Sequence, residues 1–225
     1  MEDGEENTEK LVPADWFRGL QHRIRTALEG VEGASMLRDP WKKEPGSKLG
    51  GEGETDVFEA GRAGGRVFER AGVMFSHVTG DALPPSATSR KPELAGKPFA
   101  ATGVSVVVHP ANPYVPTAHM NVRMLTVRVD VEARREVRWF GGGFDLTPYY
   151  AFDDDVSHWH RTAEKATGPH YAPFKAKCDD YFVLKHRNET RGVGGVFFDD
   201  FDGADAFDVT KRVGDAFVDA YLPIV

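Results

Sequence analysis

Val104-Ser105-Val106-Val107-Val108-His109 and the later stretch from His119 through Met120-Asn121-Val122-Arg123-Met124-Leu125 to Val131 decide how this chain folds. The first is dominated by β-branched residues. The second alternates along its length with the period of two that sends successive side chains to opposite faces of a sheet. Pro110, Pro113 and Pro116 are confined to the segment between them, where a missing backbone N–H breaks no ladder. The pattern predicts a long antiparallel hairpin. A third strand is predicted over 135–140, closing at a turn made by Gly141-Gly142-Gly143, and residues 193–201 read as an interior strand.

Outside these strands the periodicity changes. Trp16, Phe17, Leu20, Ile24 and Leu28 recur at steps of three and four, with Asp15 placed to cap a helix and Gly30 to end it. Residues 38–56, with Pro40, Pro45 and Gly50-Gly51-Glu52-Gly53, read as a long loop. The stretch 66–79 reads as strand or mixed, and 81–98 as a proline-rich loop. Helices are predicted from Val156 to Ala166 behind Asp153-Asp154-Asp155, from Pro173 to Arg187, and from Asp208 with Val213, Phe217 and Tyr221 on one face. Strand and helix blocks segregate, so the expected class is α+β with an antiparallel sheet.

The 225 residues suit one large domain, with residues 1–10 read as a disordered acidic leader and 11–225 as the domain. A net charge of −7 argues against a general nucleic-acid binder, which needs a basic face. No apolar run approaches the roughly 20 residues that cross a bilayer. The single cysteine, Cys178, rules out an intrachain disulfide framework and fits a reducing compartment, so a cytoplasmic protein is expected. Cys178 shares a helical side with Phe174 and Phe182, which suits core packing better than nucleophilic work.

The polar residues on the strands point to a site. His119, Asn121 and Arg123 share one strand face, as do Ser105 and His109, and an antiparallel pairing can set the two groups side by side. Several polar groups at one place in an apolar strand are costly to desolvate unless they line a pocket or a wet sheet end. Asp145 follows the triglycine as a candidate carboxylate, or as a turn cap. His158 and His160 diverge on their helix, and His186 beside Lys185 and Arg187 is explained by a helix C-terminus.

Longer stretches carry a resemblance. Gly103 through Thr117, His119 through Arg123, Trp139 through Pro148, His158 through Arg161 and Tyr181 through Asp200 closely resemble oxygen-dependent coproporphyrinogen-III oxidase, in detail its bacterial branch. The resemblance implies a large antiparallel β-sheet flanked on both faces by helices. It also implies a homodimer and oxidative decarboxylation of two propionates of coproporphyrinogen III to vinyls, giving protoporphyrinogen IX and CO2 in haem synthesis. Molecular oxygen is the implied co-substrate, with no flavin, haem or nicotinamide. A divalent metal is left open, with His109, His119, His158 and His186 as its implied ligands. His119 is the implied proton donor, Asp145 the acceptor for the pyrrole NH groups, and Ser105, Asn121, Val122 and Arg123 the substrate contacts. In the family the chain continues beyond the counterpart of Val225, so this chain is expected to lack a C-terminal part with further strands and some of the dimer interface. Glu52 also interrupts what is usually an unbroken glycine run.

Physically, four propionates on the substrate call for a local positive group, and Arg123 can grip a carboxylate through two parallel hydrogen bonds. A carboxylate at Asp145 can accept from pyrrole NH groups and raise ring electron density until oxygen adds, and the resulting peroxide assists loss of a β-hydrogen and CO2. An imidazole at His119 moves protons near neutral pH. The competing expectation is a non-catalytic tetrapyrrole-binding protein.

Overall fold

The computed structural model describes residues 13–84, 88, 91–130 and 135–225. Among the described residues nine strands form: β1 (Leu37–Lys42), β2 (Leu49–Glu59), β3 (Phe68–Gly80), β4 (Phe99–Pro110), β5 (Thr117–Asp130), β6 (Arg135–Thr147), β7 (Val183–Leu184), β8 (Glu189–Thr190) and β9 (Gly194–Phe201). Seven of them make one antiparallel sheet in the order β1-β2-β3-β4-β5-β6-β9, while β7 and β8 pair as a separate small hairpin. The predicted hairpin is the centre of the sheet, with Val104 opposite Val122 and Val107 opposite His119. The helices are α1 (Pro13–Glu32), α2 (Asp153–Thr167), α3 (Tyr171–Tyr181) and α4 (Ala206–Tyr221). The class is α+β, as the segregated pattern implied.

Register explains the layering. Val73, Val106, Met120 and Phe144 lie in one row across β3, β4, β5 and β6, and Val196 extends it into β9. On that face they meet Phe17, Leu20 and Ile24 of α1, Trp159 of α2, Phe174 of α3 and Val213 and Phe217 of α4 in one continuous buried core. Trp159 sits edge-on to both Phe144 and Phe217 and donates its indole N–H to the Gly194 carbonyl at 3.0 Å. The end of α1 is pinned by Glu32, whose carboxylate accepts the backbone N–H groups of Arg66, Val67 and Phe68 at 2.8–2.9 Å.

Among the described residues α1 to α4 pack on this face, and the short 3₁₀ helix Pro92–Leu94 lies on the other, so helical cover is unequal between the two faces. The alternate residues of the same strands point the other way, where two smaller pieces cover the sheet. At one end Leu83 and Leu94, from the loop predicted over 81–98, pack on Val127 and Trp139. At the other end lie Phe182 and the β7–β8 hairpin. Between them the sheet is open.

Three further expectations change. Residues 38–56 are not a loop but the β1–β2 hairpin, with Trp41 opposite Gly53. The glycines there serve close packing inside a strand: a Cβ at Gly51 would come within 2.1 Å of the His77 carbonyl oxygen. The triglycine is likewise no turn, because β6 runs straight through it to Thr147. The helix predicted to Arg187 stops at Tyr181, and Asn188 at φ +53° makes the tight turn of β7–β8 instead. Strand β9 buries Val196 and Phe198 under the helices but pairs only with β6 among the described residues, so it is an edge rather than interior strand. The acidic leader, Val131 and residues 85–87 and 89–90 of the loop lie outside the described residues.

Candidate active site

The open face carries successive rows of cross-strand neighbours. Val107, His119, Asp145 and Gly195 form one row, and Ser105, Asn121, Gly143 and Phe197 the next. Gly103, Arg123 and Gly141 follow, with Asp199 beyond Gly141 on β9. Ser105, Val107, His119, Asn121, Arg123, Gly143 and Asp145 of these rows floor a cleft of about 290 Å³, walled by Tyr181, Phe182, Arg191 and Phe197. Tyr181 stacks on Phe197 with ring centroids 4.3 Å apart, giving the wall a flat aromatic surface.

Asp145 is the deepest charge in this cleft, at 2% exposure. Its Oδ2 accepts a hydrogen bond from Arg191 Nη2 at 2.7 Å and one from the Thr147 hydroxyl at 3.4 Å, and it faces His119 Nδ1 at 3.4 Å. That imidazole nitrogen is buried and makes no hydrogen bond among the described residues, and Asp145 is the carboxylate beside it. The other oxygen, Oδ1, makes no hydrogen bond among the described residues. Arg191 is in turn fixed by its guanidinium lying 4.1 Å over the Phe182 ring and by its backbone N–H bonding the Phe182 carbonyl. A buried carboxylate needs such a cation, since an unpaired charge away from water is strongly unfavourable.

The second charged group is Arg123 on β5, four residues along the same strand face from His119. Its Nη1 donates to Asn121 Oδ1 at 2.8 Å and its Nη2 to Asp199 Oδ1 at 2.9 Å. Gly141 makes room for this pair: a Cβ there would lie 2.7 Å from both the Arg123 Nη2 and the Asp199 carboxylate. The triglycine thus lets side chains of β5 and β9 meet across β6 without a side chain of β6 between them.

His119, Asp145, Ser105, Asn121 and Arg123 are therefore brought together as expected. Val122 is not: its side chain is fully buried on the helix-covered face. The histidine set does not converge within the chain. His109 lies near His119, with ring centroids 6.3 Å apart. His158, however, is on α2, bonding the Asp219 carbonyl at 2.9 Å on the other side of the sheet, and His186 is exposed in the β7–β8 turn. No group of three metal-ligating side chains occurs among the described residues. Cys178 is buried in α3, where burial, with Asp145 and Asp179 adding, pushes its thiol up to about 12, so it packs and does not attack. Arg191 and Asp199 were missed as site residues. They are distant in sequence from the strands they serve, and the only local hint was a charged residue at each end of the glycine- and phenylalanine-rich β9 segment.

Residues 13–225 match the family model of coproporphyrinogen III oxidase. The chain belongs to the coproporphyrinogen III oxidase family. The family is one of oxidoreductases of porphyrin biosynthesis acting on coproporphyrinogen III, and the match spans every element described above. No helix among the described residues is long and apolar enough to cross a membrane.

Proposed function

We propose that this chain carries out the oxygen-dependent oxidative decarboxylation of two propionates of coproporphyrinogen III, giving protoporphyrinogen IX. The observation that carries this reading is the pairing, in one cleft, of a buried carboxylate 3.4 Å from an imidazole with an arginine facing solvent. Asp145 Oδ1 accepts pyrrole N–H hydrogen bonds and makes the ring more electron-rich. Arg123 and Asn121 hold a propionate, and the Tyr181–Phe197 wall lies along the macrocycle. His119, steered by Asp145 through Nδ1, presents Nε2 to exchange protons with the substrate.

Each propionate becomes a vinyl group by losing CO2, a proton and two electrons. Two such steps release four electrons, the number that reduces one O2 to two water molecules. Oxygen as acceptor fits a chain whose only cysteine is buried in α3, since these residues supply no cysteine set for an iron–sulfur centre. The reading needs no organic cofactor. The four histidines do not fit one ion within the chain, since His158 and His186 lie away from His109 and His119. A homodimer working in the cytoplasm belongs to the same proposal.

The test is a product assay with coproporphyrinogen III under air and under argon, beside a titration with coproporphyrin III. Vinyl product and CO2 in air but not under argon are expected. Tight porphyrin binding with no CO2 in air would favour a non-catalytic tetrapyrrole-binding protein instead.

A further inference from the structure

We infer that Asp199 is an internal competitor for the substrate's carboxylate: it occupies Arg123 when the cleft is empty, yields it to a propionate, and reclaims it once that propionate has become a vinyl group. The inference rests on the proposed function for the identity of the ligand, but its geometry is independent of it. Asp199 and Arg123 are each 42% exposed, so their ion pair faces solvent and is of the weak, exchangeable kind. The pair lies across Gly141, where a β-carbon would collide with both partners. Arg123 keeps a second hold, Asn121 Oδ1 at 2.8 Å, so the guanidinium stays aimed when Asp199 leaves. Asp199 itself is anchored through its backbone, whose carbonyl accepts Lys177 Nζ at 3.2 Å, so its carboxylate can swing without moving the strand.

The consequence is a binding site that senses charge. A propionate matches the Asp199 carboxylate in charge and hydrogen-bonding atoms and can replace it on Arg123. A vinyl group offers neither. After CO2 departs, the neutral product edge has nothing with which to hold Arg123, the internal pair reforms, and the macrocycle is freed to leave or turn. Asp199 is thus a specificity-determining residue that weakens ground-state binding and favours release.

The test is a fluorescence titration of the full chain with coproporphyrin III, the aromatic four-propionate analogue. Wild type, Asp199→Asn, Arg123→Ala and the double variant are compared, with thermal unfolding as a check on folding. Asp199→Asn is expected to bind about two- to fivefold more tightly, the range open to an exposed ion pair, and the gain is expected to vanish when Arg123 is also replaced. Asp199→Ser serves if the asparagine variant does not fold. Unchanged or weaker binding by folded Asp199 variants, with Arg123→Ala impaired, overturns the exchange and leaves the site reading intact. Arg123→Ala binding as wild type removes the site reading and the exchange with it.

Discussion

The two faces of the sheet are built from alternate residues of the same strands, yet they do opposite things. On β5, Ala118, Met120 and Val122 are buried beneath the helices, while His119, Asn121 and Arg123 look into the cleft. The helix face joins aromatic and aliphatic side chains into one core, whose strength is area removed from water. The cleft face instead holds charges, each kept in place by another: Asp145 by Arg191, Arg123 by Asp199. One face carries stability and the other chemistry, and a one-residue slip of register would exchange them.

The strongest way to break that division is Asp145→Asn. It is expected to lower turnover about 10²–10³-fold, by analogy with removal of a single preorganised stabilising group, measured by vinyl product formation. Turnover at the wild-type rate would separate the cleft from the chemistry. Next, Trp159→Ala on the helix face should cost about 3–5 kcal/mol in urea unfolding, whereas Tyr181→Ala on the cleft wall should stay within about 0.5 kcal/mol. Equal losses would erase the contrast. Arg191→Met crosses it: leaving Asp145 buried without its cation should cost about 1–3 kcal/mol of stability and lower kcat more than it alters KM, with Arg191→Lys recovering part of both.

The smallest effect tests a charge cluster on the helix face. Asp56 is fully buried there, where Gln21 Nε2 donates to it at 3.1 Å and Arg25 lies 3.6 Å away. Burial, with Glu54 adding and Arg25 and Arg38 opposing, pushes its carboxyl up to about 6. The native state therefore holds this proton more tightly than the unfolded chain. The associated stability is complete below the unfolded value and is lost as pH rises through about 6. Thermal midpoints of wild type relative to Asp56→Asn should accordingly fall between about pH 4 and 6. A difference that is flat with pH would show that Asp56 is ionised throughout.

Much of this was readable from residue order. The β4–β5 hairpin, the amphipathic faces of α1 and α4, and the shared orientation of His119, Asn121 and Arg123 follow from periods of two and 3.6 that need no knowledge of neighbours. The glycine-rich stretches misled for a common reason. Gly50-Gly51-Glu52-Gly53 and Gly141-Gly142-Gly143 read as breaks because glycine frees the backbone, but here each admits something that approaches the strand: a neighbouring carbonyl at Gly51, the Arg123–Asp199 pair at Gly141. The helix overran Tyr181 because nothing in Val183-Leu184-Lys185-His186 stops a helix as firmly as proline does.

Sequence order alone determined which side chains share a strand face, because alternation is a property of the extended backbone and holds whatever lies beside it. It also carried the family resemblance. Only the folded arrangement decided which of the two faces the helices cover, that Arg191 reaches Asp145 and Asp199 reaches Arg123, and that His158 and His186 stay away from His119. Those are distances between segments far apart in the chain, set by register and packing, and no local pattern encodes them.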